Sequence, residues 1–337
     1  MCVTLNQIGS RMHPSRQDPS IQQSNTQHHS TAHVDSEQSD IDKSNDRYPL
    51  AGKTALVTGV SRRRGIGFAV ATKFLELGAS VFFHHYRPHD LDQPWGGDEI
   101  DDVRAGLEAA RGGDASIGSL SADLSDPAEI PHLMEVAEAL TGTLDILVCN
   151  HAKSGDDGSI LDMTADRLDA MWSANARSTL LLTRQFAEIH APQAQDYEPR
   201  RPGERIPSTG PHEAPAARVF WMTSGQIHGP MPGEVAYATS KAALAGITPT
   251  VASELLKLGI VLNTINPGPV NTGYLDADMT DKSPEEFRQL QEWTATTAFG
   301  RFGRPTDSAS LIGWLATDEG AWVVGQVLTS DGGFSLG

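Results

Sequence analysis

The feature that most constrains this chain is a repeated alternation of short, continuously apolar runs with stretches of helical periodicity. Lys53–Thr58 (KTALVT) ends in a glycine turn, and Phe68–Leu77 then carries helical apolar spacing up to Gly78. Ser80–His84 (SVFFH), Leu144–Cys149 (LDILVC), Arg218–Thr223 (RVFWMT), Ile260–Ile265 (IVLNTI) and Gln326–Thr329 (QVLT) continue the series. Strands that are apolar on both faces must be covered on both faces, which describes a parallel sheet flanked by helices. The expected fold is α/β, a single doubly wound domain. Two segments break the rhythm. Pro88–Asp102 is polar and turn-rich, and Ala191–Ala217 contains six prolines and reads as a long surface loop. Loops of that length are either functional or disordered, and the sequence leaves both open.

Composition locates the domain. Residues 1–47 contain no Phe, Trp or Tyr and are dominated by Ser, Gln, His and Asp. Such a segment buries too little apolar surface to offset its ordering entropy, so it is expected to be a disordered tail. His28, His29 and His33 lie in it, but a tail of this kind holds no preformed metal site. The domain is then residues 48–337. The beginning of the chain lacks the apolar core of a secretory signal, and a cytoplasmic location is expected. Two early arginines, with no acid before Asp18, leave a weaker organelle-targeting reading. The net charge of −17 argues against nucleic acid as a partner. No run approaches the ~18–20 apolar residues of a membrane span. Two cysteines cannot build a disulfide framework.

Gly59-Val60-Ser61-Arg62-Arg63-Arg64-Gly65-Ile66-Gly67 follows the first strand and opens the first helix. Glycines there allow a tight turn and a close backbone approach to a pyrophosphate at a helix N-terminus. Arginine is the planar, bidentate partner that phosphates favour, although three in a loop can also be a solvated surface. His84-His85-Tyr86-Arg87, ending the second strand, contains no carboxylate to hold an adenosine ribose. Its absence, with Arg62, Arg63 and Arg87 at hand, favours NADP over NAD; packing histidines at a strand end are the alternative.

Tyr237 and Lys241 are four apart at the start of an expected helix and so share a face. A phenol with a pKa near ~10 is a poor acid–base catalyst unless a neighbouring cation favours its ionised form. Alone, the pair reads as an ordinary amphipathic helix. It has company: Ser224 at the end of the Arg218 run, Asn175 within the helical stretch Ala165–Ile189, and Asn150-His151-Ala152 at the end of the Leu144 run. Pro267-Gly268-Pro269-Val270-Asn271-Thr272 follows the Ile260 run, and strand C-termini are where an open α/β sheet holds its ligand.

This set resembles the short-chain dehydrogenase/reductase family over nearly all of residues 50–337. The matching signatures are the glycine loop, the Asp123-Leu124 pair, the N-x-A strand end, the Asn–Ser–Tyr–Lys tetrad, the PG-x-x-x-T segment and the terminal Asp331-Gly332-Gly333. Within the family it looks most like the 3-oxoacyl-[acyl-carrier-protein] reductase branch. The resemblance implies a Rossmann fold and an NAD(P)-dependent dehydrogenase or reductase, with NADP preferred and a carbonyl or alcohol substrate. Tyr237 would donate the proton, Lys241 would hold the nicotinamide ribose and lower the phenol pKa, Ser224 would orient the carbonyl, and Asn175 would support a relay water. Gly59, Ser61, Arg62, Arg63, Gly65, Ile66, Gly67, Arg87, Asp123, Leu124, Asn150, Ala152, Pro267, Gly268, Val270 and Thr272 complete the implied cofactor contacts, with no metal. A homotetramer or dimer is implied by resemblance alone.

The chain also departs from the family pattern. Five residues separate Gly59 from Gly65 where the family has three. That is similar to the enoyl-reductase branch, in which, however, the active Tyr and Lys lie further apart. The usual N-N-A-G stands here as Asn150-His151-Ala152-Lys153, so His151 either touches the cofactor or packs at the strand end. Substrate contacts are expected from Gln226–Glu234 and from Gly273–Gly300, with Pro284–Thr294 as a lid helix. Arg200, Arg201 and Arg205 offer a basic patch for an acidic carrier, or merely solubility. The alternatives to carbonyl chemistry are an enoyl reductase and a non-catalytic NAD(P)-sensing protein.

Overall fold

The computed structural model describes residues 47–191, 201, 203–276 and 283–336. The expected disordered tail, apart from Arg47, and Arg200 lie outside the described residues.

Among the described residues, seven strands form one sheet: β1 (Thr54–Val57), β2 (Ser80–His85), β3 (Ile117–Ser121), β4 (Ile146–Cys149), β5 (Ala217–Met222), β6 (Ile260–Asn266) and β7 (Val327–Thr329). Every pairing is parallel, in the order β3-β2-β1-β4-β5-β6-β7. The order reverses between β1 and β4, where Leu56 pairs with Phe82 on one side and Leu147 on the other. A crevice opens at such a switch point, outside the carboxyl ends of the strands.

The alternation of side chains divides the core between the two faces. Val57, Phe83 and Phe220 pack on one side with Val70, Phe74 and Leu107. Leu56, Phe82 and Trp221 pack on the other with Leu133, Phe186 and Leu244. Both sets are almost wholly buried, as the continuously apolar strands require. The flanking helices are α1 (Ile66–Glu76), α2 (Arg87–Leu91), α3 (Ile100–Ala109), α4 (Glu129–Ala139), α5 (Ala165–Met171), α6 (Ser178–His190), α7 (Val235–Leu255), α8 (Pro284–Thr296) and α9 (Pro305–Ala316). Among the described residues, no helix is long and apolar enough to cross a membrane.

Three expectations require correction. Strand β3 (IGSLS) was not anticipated, because it lies at the sheet edge, is only half-buried and carries just two large apolar residues. The turn-rich reading of Pro88–Asp102 holds for residues 92–99 only: the stretch begins inside α2 and runs into α3, since Pro88 near a helix start is compatible with helix. The single helix expected over Ala165–Ile189 is interrupted by a π-helical turn at Trp172–Arg177 between α5 and α6.

Candidate active site

The phosphate side of the crevice is built from β1, its following loop and α1. Gly59 has φ +73°, and a Cβ on it would stand 2.8 Å from the His151 Cα. A Cβ on Gly67 would meet the Gly59 carbonyl oxygen at 2.5 Å and the Asn150 amide at 2.6 Å, so only glycine allows this packing. No side chain caps α1 and its first turn holds no acid, leaving a helix N-terminus suited to an anion. Asn150 donates to the carbonyls of Thr58 (3.0 Å) and Gly59 (3.1 Å), tying the loop to the end of β4.

Two buried histidines lock the same corner. His84 donates from Nε2 to Ala122 O (2.8 Å), and its Nδ1 accepts from Gly59 N–H (3.3 Å). Burial pushes its pKa down to about 4. His151 lies between Thr58 Oγ1 and Ser178 Oγ, each 2.7 Å away. Burial holds its pKa well below the ordinary range, and the His84 and Lys241 charges add to this. A neutral imidazole has one N–H and one lone pair, so His151 donates to one hydroxyl and accepts from the other. Both histidines act as neutral fasteners, and His151, packed at the strand end, also lines the cleft.

A cleft of about 850 Å³ gathers many of the residues singled out in the sequence. Gly59, Ser61, Arg62, Gly65 and Ile66 line one wall. Asp123, Leu124, Asn150 and Ala152 line the floor, and Pro267, Gly268, Val270 and Thr272 the side beyond β6. Burial opposes ionisation of Asp123, but hydrogen bonds from Ser125 and Tyr86 outweigh it and lower its pKa. Ser224, Tyr237 and Lys241 complete the far end. Gly67 and Asn175 stand behind the surface: the Asn175 carboxamide takes Lys153 N–H (2.6 Å) and donates to Lys153 O (3.1 Å) and Ser240 Oγ (3.0 Å). The π turn carries it at the wall of the site, a common use of such turns.

The arginines separate. Arg63 pairs with Asp98 (3.5 Å), Arg64 with Asp276 (2.5 Å) and Arg87 with Glu99, and none of the three lines the cleft. The carboxylates absent from the end of β2 arrive a few residues later, from α2 and the turn after it, where Asp90 also accepts from Ser61. Arg62 does line the cleft and makes no ion pair among the described residues. Its Nη2 donates to Thr272 O (2.5 Å) and its guanidinium lies 5.7 Å from the Trp95 ring. Burial lowers its pKa. Trp95 in turn stands edge-on to Tyr274, 6.2 Å away. Sequence reasoning missed Trp95, Asp90 and Asp157; the aromatic of Pro94-Trp95-Gly96 inside a polar stretch was the available signal.

At the catalytic end, Lys241 is buried and donates to Met222 O (3.1 Å), with its Nζ 5.9 Å from the Tyr237 ring centroid. Burial lowers its pKa to about 8. Tyr237 is pushed up to about 12 by burial, against which a hydrogen bond with Ser224 pulls down. Tyr274, from the loop after β6, is likewise pushed up to about 12 by burial and by the neighbouring Tyr237. Cys149, raised to about 12 by burial, is an inert core thiol. Arg205 does not approach this end: with Lys257 it lines a separate surface hollow, and its loop bonds to the chain just before β6, at the N-terminal ends of the strands.

The chain belongs to the short-chain dehydrogenase/reductase family. A family model described as Enoyl-(Acyl carrier protein) reductase matches residues 59–195 and 207–335. The chain is 32% identical to the uncharacterized oxidoreductase YjdA of Bacillus subtilis, over 85% of this chain and 98% of that one. It is also 32% identical to an NADPH-dependent aldehyde reductase-like protein, chloroplastic, of Arabidopsis thaliana, over 86% and 97%. Its structure resembles that of an angucycline C-6 ketoreductase, LanV, with bound NADP: TM-score 0.65, 27% identity, covering 86% and 97% of the two chains. The protein is thus an oxidoreductase by family, consistent with NAD(P)-dependent hydride transfer.

Proposed function

We propose that this protein is an NADP(H)-dependent reductase of a small aldehyde or ketone. The observation that carries the reading is the convergence of Ser224, Tyr237 and Lys241 with an uncapped helix N-terminus in one cleft of about 850 Å³. The cradle of Gly59, Gly67 and the α1 N-terminus fits a dinucleotide, which Asp123, Asn150, Val270 and Thr272 would flank. A bound nicotinamide supplies the hydride. The chain supplies the rest. Ser224 and Tyr237 present hydroxyls to the oxygen on which negative charge develops. Burial keeps the phenol protonated up to about pH 12, so it begins the reduction with a proton to give. Lys241 brings a positive charge toward that phenol as it ionises. Asn175 positions the Lys153 backbone and Ser240 behind it.

Arg62 supports NADP over NAD, because it is a half-buried guanidinium in the cleft, held by a carbonyl and a ring face, with the Asp90 and Asp98 charges near it but beyond ion-pair distance. The printed descriptions of the Arabidopsis relative and of LanV point the same way. Met231, beside Ser224, and Tyr274, beside Tyr237, give the substrate end an apolar wall. A 3-oxoacyl thioester is a weaker candidate, since Arg205 lies by the N-terminal ends of the strands, away from the cleft, and cannot guide a carrier to it. The enoyl-reductase alternative rested on the long glycine loop, whose extra arginines instead hold the loop after β6. Residues 1–47 are read as a polar tail outside one catalytic domain in a cytoplasmic enzyme. The free edge of β7 and a Trp322 that is 96% exposed support a homo-oligomer.

The test is Tyr237→Phe, assayed by NADPH oxidation against a panel of aldehydes and ketones, with NADH in parallel. Turnover should be lost at least ~10³-fold while NADPH binding persists, and the wild-type protein should prefer NADPH. Undiminished turnover would sink the mechanism, and a preference for NADH would sink the reading of Arg62. Binding without any wild-type turnover would favour the non-catalytic alternative.

A further inference from the structure

The helix that carries Tyr237 and Lys241 does not cap itself. Glu234 at its N-cap makes no side-chain cap bond, and no acid lies in the first turn. The first N–H groups of a helix have no acceptors within it, and burying them unpaired is costly. Here they are met by a segment some eighty positions earlier. Val235 N–H donates to Gly158 O (3.2 Å), Ala236 N–H to Asp157 Oδ1 (3.0 Å) and Tyr237 N–H to Asp157 Oδ2 (2.7 Å). One carboxylate therefore grips two successive residues, and the shorter bond goes to the backbone of Tyr237 itself.

The backbone before this carboxylate is unusual. Gly155 has φ +76°, and Asp156, at φ +50°, is the one non-glycine residue with positive φ among the described residues. Left-handed residues outside glycine persist where their surroundings over-determine them, often at functional sites. Here the surroundings are explicit. Arg167 reaches Asp156 Oδ1 (3.4 Å) and donates to Asp162 O (2.7 Å). The Asp162 carboxylate takes Ser159 N–H (2.9 Å) and the Ser159 hydroxyl (2.6 Å). The loop after β4 is thus fastened on its own far side, and its left-handed pair turns Asp157 onto α7.

We propose that Asp157 is a positioning residue for Tyr237. Its carboxylate fixes the first turn of α7, and with it the phenol, relative to Ser224 at the end of β5. The inference rests on the reading of Tyr237 as the proton donor. Proton transfer depends steeply on geometry, and a displacement of about 1 Å can cost ~10²-fold in rate. A cap that served only stability would change melting and leave turnover alone.

The experiment uses the full chain with NADPH and the aldehyde or ketone that the wild-type enzyme reduces fastest. Asp157→Ala should lower kcat by ~30–100-fold, with the substrate KM and NADPH Kd within about threefold. Asp157→Asn, which keeps one carbonyl oxygen as acceptor, should recover part of the loss, to within ~3–10-fold of wild type. A folded Asp157→Ala protein with kcat within twofold of wild type overturns the proposal, as does a loss carried equally by KM or by NADPH Kd. If the Ala variant does not fold, the Asn variant decides by the same split. Tyr237→Phe separates the two levels. Retained turnover there defeats the reading of Tyr237 and this inference with it. A dead Tyr237→Phe beside a fully active Asp157→Ala defeats the positioning role alone.

Discussion

Lys241 is a cation that folding penalises. It is buried, and burial lowers its pKa from the ordinary 10.5 to about 8. The sign follows from proton counting. Between about pH 8 and 10.5 the unfolded chain binds more protons at this site than the folded one, so stability rises with pH across that window. Below it, the full penalty of roughly 3 kcal/mol applies, at ~1.4 kcal/mol per pH unit. Lys241→Met should therefore raise the melting temperature of the cofactor-free protein at pH 7 while abolishing turnover, and the gain should shrink toward pH 10. Thermal unfolding of both proteins at the two pH values checks this; a less stable variant at pH 7 would refute the burial argument. At this scale, spacing made Tyr237 and Lys241 legible, because residues four apart on a helix share a face. Asp157 and Asp90 were not legible. Their partners, Tyr237 and Ser61, lie on other segments, and nothing local to an aspartate says which distant N–H or hydroxyl it will meet.

Among the elements, the lengthened glycine loop is the one that sequence reasoning understood least. Its arginines resembled a phosphate cluster, but they act mainly as struts. Arg62 holds the Thr272 carbonyl and Arg64 holds Asp276, which also accepts from Asn271 (2.9 Å). The loop after β6 is thereby tied to the loop after β1. Both members of the Arg64 pair are partly exposed, so the pair is worth under ~1 kcal/mol of global stability. Its effect should instead be local. Arg64→Ala should speed amide hydrogen exchange at Gly273 and Asp276 several-fold while leaving the amides of β6 unchanged. Unchanged exchange at those two positions would dismiss the strut. The central strands were readable because burial on both faces leaves them uniformly apolar. β3 was not, since Gly118 reads as a turn. In the sheet it is a packing requirement: a Cβ there would fall 2.6 Å from the Phe82 ring. The π turn before α6 has no sequence signal at all; it accompanies the bonds of Asn175 to the distant Lys153 and Ser240.

For the whole molecule, the parallel sheet separates two ends with different duties. The C-terminal ends of β1, β4, β5 and β6 hold the cleft. The described part of the Pro-rich segment joins the opposite end, where Thr209 N–H donates to Lys257 O (2.8 Å) and Ala216 N–H to Gly259 O (2.9 Å). The net charge of −17 argues against nucleic acid, yet the proposed cofactor is itself a polyanion, and Arg62, without an ion pair among the described residues, faces the cleft where it would sit. Charge totals describe the surface that a large partner would meet, whereas a nucleotide meets a handful of residues.

The same separation gives the chain a natural point of attachment. Glu213 and Ala214 are exposed and sit just before β5 enters the sheet, on the side away from the chemistry. A short Gly/Ser-flanked fluorophore tag or surface tether inserted between them should leave kcat/KM within twofold, because loop extension costs little entropy. A large drop would mean that the far end of the sheet communicates with the cleft. With that result in hand, the enzyme could be immobilised with its mouth facing solution.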